Sequence, residues 1–360
     1  RLEALGVVLP KTTKGHYKTD VGTLAAALGD EHAKLRQLLL YRSALAQDVR
    51  TFLRPWHEQA ARGDGRLRTH WNLVGGTGRF GGGTRTGRLS SEPNLQNITS
   101  VEKRDALAEK LGKGDWSLPR MRSYIVPEKG EVLVGRDFSQ QELRLLAHFE
   151  ATDLCEMYRL HPELDLHDYV GTMIASITGV TLPRKTIKVL NFCTIYGGGA
   201  PAIARQGGMT IDEATQAREL YFNAMPTIRE TMRETQRTGK REGIRTIGGR
   251  LYEAEKGVGD DGRPRDFAYR LLNYRIQGSA ADQMKEVLGQ LDRELVAATF
   301  LLTVHDELLF SAPKDAARSV LRRLDEIMVG TAETFKLRVP FKSDGYMGPN
   351  WADVVKEKGL

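Results

Sequence analysis

Two acids that stand where apolar strands end constrain this chain more than any other feature. The run Glu131-Val-Leu-Val-Gly-Arg-Asp137 reads as a buried strand closing on a carboxylate, with a helical pattern from Ser139 to Phe149 directly behind it. Far along the chain, Leu301-Leu-Thr-Val304 and Glu307-Leu-Leu-Phe310 are short apolar runs separated only by His305-Asp306. That spacing predicts a tight β-hairpin with two polar residues at its tip. Taken singly, each Asp reads as a turn residue. Placed on neighbouring strands, the two carboxylates would face each other across the end of a sheet and repel. A pair of Mg²⁺ ions about 4 Å apart would relieve that repulsion.

The rest of the chain is organised around helices. From Leu24 to Ala61 the pattern is helical, with Leu28, Leu35, Leu38, Leu39, Leu45 and Leu53 on an apolar stripe. The Gly-, Thr- and Arg-rich stretch from Gly75 to Gly87 breaks any helix. Leu154 to Arg265 reads as mostly helical, interrupted at Gly197-Gly-Gly199 and at the turn-rich Lys256–Pro264. Ala268–Val296 and Arg318–Phe335 are further helical patterns. No internal repeat is visible. At 360 residues the chain is too long for one compact core and suits two or three subdomains. Its formal charge of +7 favours an anionic partner, although charge alone separates that reading only slightly from a merely basic protein. Cys155 and Cys193 stand outside any metal-ligand spacing, which points away from a disulfide framework and toward a reducing compartment. No apolar run is long enough to span a bilayer, and no signal-peptide pattern opens the chain. The first residue is Arg1 rather than Met, inside a helical region, so a truncated start is expected.

Pro183 opens a helix in which Arg184, Lys188, Phe192 and Tyr196 recur at every fourth position and share one face. Ile187, Leu190 and Thr194 take the opposite side. Two cations followed by two aromatics suit a nucleoside triphosphate, with charge on the phosphates and a ring against sugar and base. The alternative is a solvated basic helix end with two half-buried rings. Ser139 and Glu142 have the spacing of a capping box. In Thr84–Ile98, Gly87 allows close backbone approach and Arg88 can reach the acceptors that all base pairs share in the minor groove. Asn94, Gln96 and Asn97 add donors there. Without further context the segment also reads as a polar loop.

Gly135-Arg-Asp-Phe-Ser-Gln-Gln-Glu-Leu-Arg-Leu-Leu-Ala147 resembles the first palm motif of the family A DNA polymerases, the class of bacterial DNA polymerase I. Val304-His-Asp-Glu307 resembles its last palm motif, and Arg184–Gly197 its fingers helix. The motifs follow in family order over nearly the whole chain, up to Asn350-Trp351. The resemblance implies an α+β right-hand polymerase fold with an antiparallel palm sheet, helical fingers and a partial helical thumb. Residues 1–65 would be thumb, 66–150 the first part of the palm, 151–265 fingers and 266–360 the second part of the palm.

The same resemblance implies a DNA-directed DNA polymerase that extends a primer 3′-OH with deoxynucleoside triphosphates. Two Mg²⁺ ions, with Mn²⁺ as a substitute, would be held by Asp137, Asp306 and the backbone carbonyl of Phe138, with Glu307 a neighbouring acid. Arg184 and Lys188 would hold the triphosphate, Lys188 also serving as the acid for pyrophosphate. Phe192 would pack on sugar and base, which implies discrimination against dideoxynucleotides. Tyr196 would stand at the templating position, and Glu142 would block a ribose 2′-OH. Gln140 and His167, the latter in Asp165-Leu-His167, complete the nucleotide set. Arg88, Asn94, Gln96, Asn97, Arg122, Asn273, Gln277 and His305 would contact the primer-template. The partners implied are DNA and nucleotides without a membrane, in the cytoplasm of a bacterial or phage-infected cell and at the nucleoid. Processivity or replisome partners leave no identifiable trace. A proofreading domain, if present, would lie upstream. The sequence departs from the family pattern at Gln141, Cys193 and Thr99, where Ile, Gly and Pro are usual. Arg270 lies one place off the expected spacing and takes no role from the family. A single-subunit RNA polymerase or reverse transcriptase shares the palm chemistry, but Glu142 and the Arg88 segment argue against it. Both aspartates being intact argues against a catalytically silent DNA-binding subunit.

Overall fold

The computed structural model describes residues 6–12, 15–18, 20–73, 83–111, 118–258, 262–294 and 297–357. Positions 75–82 of the glycine-rich stretch lie outside the described residues. The chain divides into two compact units. The first comprises Arg1–His70, Ser91–Pro127 and Gly348–Val354; the second comprises Trp71–Ser90, Glu128–Met347 and Val355–Leu360.

The first unit is built on α1 (Ala33–Asp48), which runs through a wider turn at Val49–Leu53 into α2 (Arg54–Arg62). The continuous helix expected from Leu24 is broken, because Leu28 ends a short helix in extended conformation. The leucine stripe is only partly a core. Leu28 is buried, whereas Leu38 is 41% exposed. Phe52 and Trp56 form the apolar centre, with ring centroids 5.4 Å apart. Beside them lies a buried ion pair, Arg104 Nη2 to Asp48 Oδ1 at 2.6 Å.

The second unit holds a five-stranded sheet of β1 (Val132–Phe138), β2 (Thr299–Val304), β3 (Glu307–Ala312), β4 (Ser343–Gly348) and β5 (Val355–Glu357). Its order is β5-β4-β1-β3-β2, antiparallel at β4–β5, β1–β3 and β3–β2. Valine and leucine at alternate and successive positions of β1 and β3 are buried because helices cover the sheet. Longer helices of this unit include α3 (Gln141–Glu150), α4 (Leu166–Thr178), α5 (Arg184–Ile195), α6 (Ile211–Ala224), α7 (Leu271–Glu294) and α8 (Ala317–Thr334). α8 packs on β1, and α7 packs on both α8 and α3.

Caps set several of these boundaries. Asp165 caps α4 by accepting the amides of His167 and Asp168, and Thr210 with Glu213 forms a capping box on α6. The capping box expected from Ser139 and Glu142 does not form. Gln140, left-handed at φ 54°, takes the cap position without a side-chain bond. The Ser139 amide donates to the Lys342 carbonyl at 2.8 Å, which fixes Ser139 outside the helix. Glu142 turns toward other partners, described below.

Candidate functional site

The register of β1 and β3 sets Asp137 opposite Glu307, and the Phe138 amide donates to the Asp306 carbonyl at 3.2 Å. The two strand-end acids are therefore neighbours, because β1 pairs with the second strand of the hairpin. His305 makes the turn possible by adopting a left-handed φ of 58°. Asp137 Oδ1 is buried and has no hydrogen-bond partner among the described residues. Burial, then repulsion from Asp306, Glu307 and Asp344, pushes the Asp137 carboxyl well above the usual range. Burial also raises the Asp306 carboxyl, outweighing the nearby Arg88 guanidinium. Such a pair is held at a cost until a cation shares it, and the orphaned oxygen supplies a free ligand atom. The donor set therefore fits a divalent ion. Among the described residues no three His, Cys, Asp or Glu side chains are grouped as a metal cage. Glu307 is engaged elsewhere, accepting the Tyr346 hydroxyl.

A line of contacts runs from these acids to α5. Arg88, which lowers the Asp306 carboxyl by its charge, donates to Glu142. Glu142 Oε2 accepts the Tyr196 hydroxyl at 2.9 Å. Burial first and Glu142 second push the Tyr196 phenol up, while the Arg88 charge and then a hydrogen bond with Gln277 oppose them. The backbone behind Arg88 requires glycine. Gly87 has φ +75°, and the Arg250 guanidinium occupies the place a Cβ would take, 1.2 Å from it. Arg250 is held there by Asp282 at 2.8 Å.

The face of α5 predicted from spacing is present. Arg184 and Lys188 are exposed, Phe192 is half-buried and Tyr196 caps the helix, while Ile187, Leu190 and Thr194 are buried behind them. The Phe192 ring lies between His167 and Tyr196, at centroid distances of 5.7 and 6.0 Å. Arg184 is already engaged: Nε reaches Asp168 at 2.7 Å and Nη2 reaches Asp165 at 2.6 Å. Lys188 makes no salt bridge among the described residues.

Two of the expected nucleotide ligands are occupied structurally. His167 is buried, and its Nδ1 meets Asn191 Nδ2 at 2.9 Å. Asn191 Oδ1 accepts the Tyr221 hydroxyl at 3.0 Å, so its amide donates to His167 and fixes Nδ1 as the acceptor nitrogen. Burial lowers the His167 pKa, which keeps the ring neutral. The Gln140 amide donates to the Leu164 carbonyl at 3.0 Å and accepts from the Leu166 amide and the Tyr158 hydroxyl. Both ends of that side chain thus tie α3 to the loop before α4. Gln141 is buried and bonds Gln283 at 2.9 Å, which in turn donates to Thr331 at 2.8 Å.

The expected DNA ligands divide. Arg88, Asn273, Gln277 and His305 belong to the second unit. Asn94, Gln96, Asn97 and Arg122 belong to the first. Asn94 Oδ1 accepts the amides of Gln96 and Asn97, at 3.0 and 3.1 Å. Gln96 is buried rather than offered to solvent. The Arg122 guanidinium lies 3.9 Å over the Trp351 ring, with Nε buried and lacking a hydrogen-bond partner among the described residues. Asn273 Oδ1 is likewise buried and lacks one. Asn191, Tyr346 and Arg250 are the residues sequence reasoning missed. Only Asn191 had a signal, a polar residue inside the buried side of an amphipathic helix.

The sequence pattern of DNA polymerase family A matches residues 2–353. DNA polymerase I of Thermus aquaticus, described as thermostable, is 31% identical over 350 residues, which are 95% of this chain and 39% of that protein. DNA polymerase I of Geobacillus stearothermophilus is 31% identical over 355 residues, 95% of this chain and 37% of the relative. This chain thus spans about two fifths of the length of these relatives. Among solved structures, the POL domain of Pol1 from M. smegmatis, in complex with DNA primer-template and dNTP, superposes with a TM-score of 0.75 at 28% identity. That match covers 96% of this chain and 58% of the other. A motif order, a fold and a sequence pattern that agree over nearly every residue make this chain a member of DNA polymerase family A.

Proposed function

We propose that this chain carries out template-directed DNA synthesis, joining a deoxynucleoside triphosphate to a primer 3′-OH. The observation that carries the reading is the buried pair Asp137 and Asp306, one oxygen of which lacks a partner, connected through Arg88 and Glu142 to the cationic and aromatic face of α5. Asp137 and Asp306, with the Phe138 carbonyl, would hold two Mg²⁺ ions; Mg²⁺ is commonly bound by one or two carboxylates together with substrate phosphates. When bound, the ions supply charge neutralisation at the attacking and leaving oxygens of an in-line displacement.

The protein's own residues do the remaining work. Arg184 and Lys188 present positive charge to the triphosphate, and Lys188, exposed and without an ion pair among the described residues, can give a proton to the departing pyrophosphate. Phe192 offers its ring to the sugar and base. Glu142, pinned by Arg88 and Tyr196, is a fixed wall that a ribose 2′-OH would meet. His167 acts behind Phe192 as a neutral prop rather than as a cation on phosphate. In this reading the sheet of the second unit is palm, α4 to α6 belong to the fingers, and α1 with α2 to the thumb. Primer extension in Mg²⁺ tests the proposal. The unsubstituted protein should extend a primed template, and Asp137→Asn or Asp306→Asn should lower the rate by about 10²-fold or more while the fold persists. An unsubstituted protein that binds primed DNA without extending it would sink the reading.

A further inference from the structure

We infer that Asp165 and Asp168 form a carboxylate latch on Arg184, which an incoming triphosphate must displace, and that Asp168 thereby sets the affinity for nucleotide. The inference rests on the polymerase reading and concerns the same face of α5. Arg184 is the first cation of that face, yet its Nε and Nη2 atoms are both taken, by Asp168 Oδ1 at 2.7 Å and Asp165 Oδ2 at 2.6 Å. This is the edge of the guanidinium that makes paired bonds to an oxyanion. A phosphate oxygen can use it only after these bonds break.

The two carboxylates are not equivalent. Asp165 is committed to the fold, because its Oδ1 accepts the amides of His167 and Asp168 at the start of α4. Asp168 is 64% exposed in its side chain, and the bond recorded for its carboxylate is the one to Arg184. Asp168 is thus the separable half of the latch. All three side chains are at least one-third exposed, at 56% for Arg184 and 36% for Asp165. Ion pairs this exposed contribute little singly. A triphosphate, with several charges and several acceptors, therefore outcompetes them. The latch also explains why Lys188, one turn along the same face and lacking such partners among the described residues, would be the first cation a triphosphate meets.

The test measures equilibrium binding of dATP in Mg²⁺ to the protein on a primer-template whose primer ends in a dideoxynucleotide, so that no chemistry follows. Asp168→Asn should lower the Kd for dATP about two- to five-fold. Asp168→Ser should do the same, with an unchanged melting profile showing that α4 is intact. In an Arg184→Gln background, Asp168→Asn should have no effect on Kd. An unchanged or raised Kd in both Asp168 variants, with dATP binding by the unsubstituted protein intact, overturns the latch alone. Absence of dATP binding by the unsubstituted protein on primed DNA overturns the polymerase reading, and the latch with it.

Discussion

Gly135 shows how a single residue shapes this site. It lies in β1 two positions before Asp137, and the Tyr346 ring of β4 covers it so closely that a Cβ there would stand 2.2 Å from ring carbon. The same Tyr346 hydroxyl donates to Glu307, directly across from Asp137. The missing side chain at 135 thus gives room to the ring that orients Glu307. Gly135→Ala should destabilise the protein by about 1–3 kcal/mol, the usual cost of forcing atoms into a packed interior. Thermal unfolding should show a lower midpoint, and adding Tyr346→Ala should recover part of it. Strictly additive losses would mean that the two residues do not compete for space. Asp137 and Asp306 could be placed from the sequence because one ends an apolar strand and the other sits at the tip of an apolar hairpin; each alone reads as a turn residue, and the family motifs around them single out the pair. Tyr346 could not. Its partner is 39 residues away, and nothing in its neighbours marks a tyrosine that reaches a carboxylate.

Among the elements, α5 was the most legible, because a period of four put cations and rings on one face and aliphatic residues on the other. The burial along the helix follows that division. What periodicity hides is the polar chain behind the helix, Tyr221 to Asn191 to His167, because the three residues come from three helices. Asn191 serves as acceptor for one neighbour and donor to the other. Replacing it with Leu would leave the His167 Nδ1 and the Tyr221 hydroxyl buried without their partner, at about 1–3 kcal/mol each. Urea unfolding of Asn191→Leu should reveal a loss in that range, and Asn191→Gln, which keeps both polar ends, should not restore it fully because the longer arm shifts them. A neutral Asn191→Leu would show that the chain contributes nothing to holding α5. The failed capping box at α3 has the same origin. Ser139 and Glu142 satisfy the local rule, but Lys342, Arg88 and Tyr196 compete for them from distant sequence. Local rules hold where no tertiary partner is stronger, as at Thr210 and Glu213 of α6.

At the scale of the whole molecule, the sequence reading divides the chain into four ranges with the palm in two of them, whereas each compact unit is assembled from three separate stretches of chain. Within the second unit, bonds between residues far apart in sequence also tie elements together. One is made by His148, at the end of α3, whose Nδ1 accepts the Arg338 amide at 3.2 Å, 190 residues away. Burial, then the charges of Arg338 and Arg275, hold its pKa down to about 4. Its unfolded value is near 6.5. A folded pKa below the unfolded one means that the folded state resists protonation. The stability this imidazole contributes is present above about pH 6.5 and is lost as pH falls toward 4. Protonation also turns Nδ1 from acceptor to donor and breaks the bond to Arg338. Asp137 and Asp306 act with the opposite sign when no divalent ion is present. Their raised pKa values mean that acidification relieves repulsion and favours the folded state. The two effects oppose each other in mildly acidic solution, and His167 and His305, whose pKa values burial also lowers, act on the side of His148. His148→Asn, which retains an acceptor that cannot be protonated, removes the His148 contribution alone. Urea unfolding in chelator should then give a variant that gains on the unsubstituted protein by about 1 kcal/mol between pH 7 and 4.5, a figure reduced for the partial exposure of the ring. If the two proteins instead keep a constant difference across that range, His148 is not the group through which acid acts on the fold.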